Sequence, residues 1–127
     1  MRRPEFLRAT PIFTVPDVVE ASRYYVEVLG FENRGFFGTP PVFAMLGRGP
    51  AEIYFNQDPA ARGAKRVRAE VSADVYFHVT GLDALHEQLL ERGATIVDGP
   101  VKRVYEMREL VVDDCHGLRL VFGEDAS

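Results

Sequence analysis

The chain has 127 residues, a formal net charge of −4, 46% hydrophobic and 27% charged residues. This is enough sequence for one domain with an ordinary core, and it is too apolar for a disordered chain. The acidic balance offers no footing to nucleic acid, no apolar run approaches the roughly 20 residues of a membrane span, and the single cysteine, Cys115, forbids an intrachain disulfide.

The first residues, MRRPEFLRAT, are basic but lack the apolar run of a secretory signal, so the expected location is the cytoplasm. Residues 1–8 read as a loose arm. Thr10 to Val15 alternates as a strand, and Pro16 ends it because proline cannot donate to a sheet ladder. Asp17 is placed to cap a helix, with Glu20 completing a capping box. Val18, Ala21, Tyr25, Val28 and Leu29 recur at helical spacing, Tyr24 lies at the edge of that stripe, and Gly30 stops the helix. Strands are expected at Phe31–Phe37, Val42–Leu46 and Ala51–Asn56, separated by Gly/Pro turns at 38–41 and 47–50. Residues 58–72 form a polar connector whose basic cluster, Lys65, Arg66 and Arg68, reads as a solvated loop.

The pattern then repeats. Asp74 to Val79 alternates, and Thr80 is placed to cap a helix with Asp83 three residues on. Leu82, Leu85, Leu89 and Leu90 form its apolar face, and Gly93 follows Thr80 by the same 13 residues that separate Gly30 from Asp17. Thr95–Val97 is a short strand, Asp98-Gly99-Pro100 a turn, Val104–Asp113 the longest strand, and Leu118–Gly123 the last. Two copies of a strand–helix–strands unit imply an α+β domain spanning 1–127, with one module at 9–57 and a second at 73–123.

Strand parity assigns the faces. Phe13 and Val15, Ile53 and Phe55, Val75, Phe77 and Val79, and Leu118, Leu120 and Phe122 form purely apolar sets suited to packing on the helices. The opposite sets are mixed: Ile12, Glu52 and Tyr54 in the first module; Asp74, Tyr76, His78 and Arg119 in the second. With Phe43 and Tyr105 they make a polar and aromatic lining of the kind small-molecule sites use. The tyrosines offer flat faces for stacking and for cations. Glu52 and Asp74 are either a carboxylate pair facing one site or separate partners of Arg119 and the tyrosines. Cys115 and His116 are neighbours in a turn and are not expected to act together as a nucleophile.

Val15-Pro16-Asp17, Ala21 to Tyr25 and Val28-Leu29-Gly30-Phe31 resemble the opening motif of the vicinal oxygen chelate superfamily, which includes glyoxalase I, extradiol dioxygenases and the fosfomycin- and bleomycin-resistance proteins. Gly99-Pro100 and Val112 to Gly117 resemble its closing motif, with Asp114-Cys115-His116-Gly117 in place of Asp-Pro-Asp-Gly. Ala51 to Phe55 resembles a strand of the bleomycin-resistance branch. The resemblance implies paired βαβββ modules whose curved mixed sheets surround a cavity, and a homodimer with two equivalent cavities.

The superfamily's enzymes hold a divalent metal at four positions, which fall here on Thr10, Glu52, Asp74 and Val121. Valine cannot ligate, threonine is a poor donor, and none of His78, His86 or His116 is placed to rescue that set. The expectation is therefore a protein without metal or other cofactor that sequesters or senses a planar or amphipathic organic ligand, in the manner of an antibiotic-resistance protein. The alternative is a metal-dependent lyase, isomerase or dioxygenase of the glyoxalase type. Ile12, Phe43, Glu52, Tyr54, Asp74, Tyr76, His78, Tyr105 and Arg119 are the expected ligand-binding residues.

Overall fold

The computed structural model describes residues 2–62 and 73–127; the basic cluster Lys65, Arg66 and Arg68 lies outside them. The described chain forms β1 (Ile12–Val15), α1 (Val18–Glu27), β2 (Glu32–Phe37), β3 (Phe43–Arg48), β4 (Ala51–Gln57), β5 (Val75–His78), α2 (Leu82–Glu91), β6 (Thr95–Lys102), β7 (Met107–Asp113) and β8 (Arg119–Asp125). The strands make two four-stranded mixed sheets, ordered β1-β4-β3-β2 and β5-β8-β7-β6. In each, the first strand pairs in parallel with the last, Ile12 opposite Tyr54 and Tyr76 opposite Val121, and the other pairings are antiparallel. The repeat in the sequence is thus a repeat in the fold: two βαβββ units, α+β in class, with neither sheet closed on itself.

The first helix is capped by Asp17 as expected, but the Glu20 carboxylate makes no return bond to complete a capping box among the described residues. Asp17 is extended, and its Oδ1 accepts from the amides of Val19 and Glu20 at 2.9 and 3.0 Å. A further donor, the Val18 amide, is met at 2.9 Å by Gln57 Oε1 from the end of β4. The second helix departs from expectation. Its cap is Gly81 rather than Thr80, in the left-handed region at φ 72°, and the cap residue has no side chain to offer. Instead Glu124 of β8 accepts from the Gly81 and Leu82 amides at 3.0 and 3.2 Å, placing a carboxylate at the positive end of the helix. Asp83, expected in a capping box, pairs with Arg108 at 2.9 Å. Leu90 is 54% exposed and lies off the buried face formed by Leu82, Leu85 and Leu89.

The Asp98-Gly99-Pro100 turn is a second correction. These residues lie inside β6, where the pairing with β7 slips on either side of Asp98. Gly99 has φ 90°, and a Cβ there would collide with the Glu109 carbonyl, so only glycine lets the two backbones approach at this bulge. The reversal falls at 103–106 instead, which takes Val104 and Tyr105 out of the long strand and into a turn.

One core serves both modules. Leu46, Ile53 and Phe55 of the first sheet and Leu110, Leu120 and Phe122 of the second are buried in one cluster with Val18, Ala21 and Tyr25 of α1 and Leu82, Leu85 and Leu89 of α2. Tyr25, fully buried, packs edge-on against Phe31 and Phe55. Phe31 meets Phe77 at 5.7 Å, and Phe77 stacks on Phe122 at 5.5 Å. At the module junction the Tyr25 hydroxyl donates to Asp114 Oδ2 at 2.7 Å, while Asp114 Oδ1 accepts from the His116 and Leu118 amides. Burial pushes the Asp114 carboxyl above its ordinary range, against the pull of these three donors.

The two caps make opposite predictions for neighbouring residues. Glu124→Ala is expected to lower unfolding free energy by about 0.5–2 kcal/mol and to speed amide exchange in the first turn of α2. Thr80→Ala is expected to stay within about 0.5 kcal/mol of the parent in the same urea titration.

Candidate functional site

Because the helix-facing sides of both sheets are consumed by the core, the opposite faces look outward. On the second sheet parity brings out Tyr76 from β5, Arg119, Val121 and Gly123 from β8, and Glu109, Val111 and Asp113 from β7. Of these, Tyr76, Glu109, Val111, Arg119 and Val121, together with Ala73, with Val97 and Asp98 of β6 and with Arg103 and Tyr105 of the following turn, border a hollow of about 590 Å³.

Glu109 is the centre of this hollow. It is 4% exposed and sits directly opposite Gly123. A Cβ at Gly123 would overlap the Tyr76 hydroxyl, so the glycine leaves the room in which the Tyr76 ring crosses β8 to reach the acid. Tyr76 donates to Glu109 Oε2 at 2.8 Å, and Tyr105 donates to Oε1 at 2.7 Å. Arg103 Nε donates to Oε1 at 3.1 Å, and its Nη2 holds Asp98 at 3.0 Å. Burial alone would raise the Glu109 carboxyl, but the two phenols and the guanidinium outweigh it and hold the group below the usual carboxylate range. The phenols shift the other way: Tyr76 is raised by burial and by its bond to Glu109, Tyr105 chiefly by that bond. Arg119 forms a fork on Asp113, Nε to Oδ1 at 2.8 Å and Nη2 to Oδ2 at 3.1 Å. Asp74 Oδ2 accepts from the Arg119 amide at 2.8 Å.

The first sheet carries a parallel arrangement on its outward face. Glu52 lies opposite Gly47, and the Arg34 guanidinium occupies the space a Cβ at Gly47 would take. Glu52 holds Arg8 at 2.8 Å, Arg34 at 3.8 Å, the Thr10 hydroxyl at 3.4 Å and the Tyr54 hydroxyl at 3.3 Å. Phe43 packs edge-on to Tyr54 at 5.7 Å, and Ile12 beside them is 54% exposed.

The structure therefore sorts the expected residues into two groups. Ile12, Phe43, Glu52 and Tyr54 share the outward face of the first sheet. Tyr76, Tyr105 and Arg119 line the hollow on the second, whereas Asp74, bonded to the Arg119 amide, is not among its lining residues. The described lining of that hollow contains no residue of the first module. His78 meets Tyr76 at 4.9 Å with the rings tilted by 50°, but lines a separate hollow of about 400 Å³ near the start of α2. The sequence reading missed Glu109, Arg103, Asp98 and Asp113. Glu109 had a signal: an acid at the middle of Met107–Asp113, in step with Val111 rather than with the core residues Leu110 and Val112. Arg103 had none, because its reach depends on where the turn falls.

Partial desolvation of the sulfur first, then the charges of Asp114 and Glu20, push the Cys115 thiol up to about 12, which disfavours the thiolate form that a nucleophile needs.

The sequence profile of the Glyoxalase/Bleomycin resistance protein/Dioxygenase superfamily matches residues 8–122. None of the curated proteins matches the chain. Among solved structures the chain is similar to a protein assigned to the glyoxalase family from Bacillus anthracis, at 22% identity and a TM-score of 0.75 over 98% of this chain and 99% of that one. It is also similar to a virulence protein from Salmonella typhimurium, at 25% identity and 0.72 over 97% and 99%. A third likeness is to a superfamily member from Sphaerobacter thermophilus, at 17% and 0.73 over 95% and 98%.

The depressed Glu109 carboxyl sets a pH dependence. Its ionised form adds stability that is fully present above the ordinary glutamate pKa of about 4.3 and is lost as pH falls through the lower folded value. Glu109→Gln is expected to cost about 1–3 kcal/mol at neutral pH. That difference should shrink as urea titrations are repeated from about pH 5 downward; a difference independent of pH would contradict the assignment.

Proposed function

We propose that this chain, which belongs to the Glyoxalase/Bleomycin resistance protein/Dioxygenase superfamily, binds a flat, amphipathic organic molecule on the outward face of its second module and acts by sequestering or sensing it. The observation that carries this reading is the hollow of about 590 Å³ built around Glu109. That volume lies within the roughly 300–1,000 Å³ of small-molecule sites. Val97, Val111 and Val121 give it apolar surface, and Tyr76 and Tyr105 give it ring faces whose hydroxyls are already fixed by Glu109. A guest therefore meets rigid aromatic surface rather than side chains that must first be ordered. Among the lining side chains Asp98 and Glu109 balance Arg103 and Arg119, and both arginines are already paired with carboxylates, so an anion finds no unpaired cation while the tyrosine faces can take a neutral or cationic guest.

The metal position of the superfamily's enzymes fits these residues poorly. Glu52 is engaged by two arginines, Asp74 by the Arg119 amide, and Val121 has no donor atom. The reading includes a homodimer in a reducing cytoplasm: Phe37 at 72% and Ile12 at 54% exposure leave apolar surface on the first sheet that a second copy would cover. It also includes a protective role of the antibiotic-resistance kind.

Planar neutral and cationic compounds screened by thermal shift and native mass spectrometry provide the test. Tyr76→Ala is expected to weaken any compound so found by about 10–100-fold, the worth of one aromatic platform. Glu52→Gln should also weaken it if a second copy brings the first sheet over the hollow. Affinity unchanged in Tyr76→Ala would remove the hollow from the account. Isomerase activity on a glutathione hemithioacetal, abolished by chelator, would replace binding with catalysis.

A further inference from the structure

The turn Asp114-Cys115-His116-Gly117 has no part in the hollow, yet it carries two metal-ligating side chains. The fold sets them beside a third. Glu20 lies in the first turn of α1, and one donor atom each from Glu20, Cys115 and His116 fall within 4.8 Å of one another. They come from both modules: Glu20 from the first, the turn between β7 and β8 from the second. A second observation points the same way. Nε2 of His116 is sealed from solvent and has no hydrogen-bond partner among the described residues. A buried imidazole nitrogen left without a partner is costly, and a cation is one of the few occupants that can use its lone pair.

We propose that Glu20, Cys115 and His116 form a binding site for a thiophilic divalent cation, Zn²⁺ by preference, at the junction of the two modules. The donor set is one sulfur, one nitrogen and one oxygen, which suits zinc and is foreign to Mg²⁺ or Ca²⁺. Ligands held at about 2.0–2.3 Å around a tetrahedral ion lie roughly 3.5 Å apart. Side-chain adjustments of about 1 Å therefore close the observed cluster, and water completes the fourth position. The thiol proton passes to solvent as the cation binds, so a thiolate, a carboxylate and a neutral imidazole balance the ion's two positive charges. Asp17 and Asp114 add negative charge around the thiol, which favours a cation further. Bound there, the ion ties the start of α1 to the β7–β8 turn, next to the Tyr25–Asp114 bond. Its role is to fasten the modules together, and it is independent of any guest in the hollow.

Co²⁺ titration into the full-length, reduced protein tests this, with Zn²⁺ as competitor. One equivalent is expected, with a thiolate-to-cobalt charge-transfer band that Zn²⁺ bleaches and a melting temperature raised by either ion. Cys115→Ser should abolish the band. Cys115→Ser and His116→Gln should each cost at least the roughly 10–100-fold in affinity known for outer-sphere partners of metal sites, and Glu20→Gln about 10-fold. Cys115 and Glu20 are exposed, so their variants should fold, which far-ultraviolet circular dichroism of the metal-free forms checks. Absence of the band at saturating Co²⁺, or affinity unchanged in Cys115→Ser, overturns the proposal. Binding that survives all three substitutions but is lost in Glu52→Gln or Asp74→Asn overturns it too, by moving the ion to the outward faces.

Discussion

The buried union of the two modules is the constraint on which the rest depends. Tyr25 supplies both halves of it: its ring fills the space between Phe31 and Phe55, and its hydroxyl finds Asp114 across the junction. A phenol and a carboxyl are tolerated in so dry a place because each satisfies the other and two backbone amides take the second oxygen. With helices and inner sheet faces committed to one core, both sheets must turn their remaining faces away from it. The aromatic hollow of the second sheet and its charged counterpart on the first stand on those outward faces.

The duplication persists in chemistry as well as in topology. Each module sets a carboxylate opposite a glycine on a paired strand and lays a long side chain across that glycine toward the acid. In the first, Arg34 crosses Gly47 toward Glu52; in the second, Tyr76 crosses Gly123 toward Glu109. The outcomes differ because the crossing groups differ. Arginine neutralises its acid and leaves a polar, charged surface. Tyrosine donates one hydrogen bond and leaves a ring face available, and a second tyrosine repeats this from the turn. The first module therefore offers charge pairs with nearby apolar surface, the second an aromatic hollow with a fixed anionic centre.

Much of this was legible in the sequence, for a definite reason. Alternation along Ile53–Phe55, Val75–Val79 and Leu118–Phe122 carries the sheet faces, and the cap at Asp17 with its stop at Gly30 carries the first helix; these signals are local, and burial enforces them. What escaped depended on partners far away in the chain. Thr80 looked like a cap because Glu124 cannot be foreseen 44 residues earlier. Asp98-Gly99-Pro100 has the composition of a turn but serves as a bulge, because Glu109 opposes it at close range. The error moved Tyr105 to a turn without moving it from the site. The family resemblance directed attention to Glu52 and Asp74, whereas the acid at the centre of the hollow is one the strand pattern itself marked.

The helix caps have a consequence for how the chain assembles. Val18 waits for Gln57 and Gly81 for Glu124, separations of 39 and 43 residues. Neither helix is complete as a local segment: its first turn is finished only by the end of the strand that closes its own sheet. The first turn of each helix gains its last backbone partner only when the closing strand of its own sheet is in place, a long-range step that couples helix to sheet. The loop closure that delays this step is also what makes each module indivisible once formed.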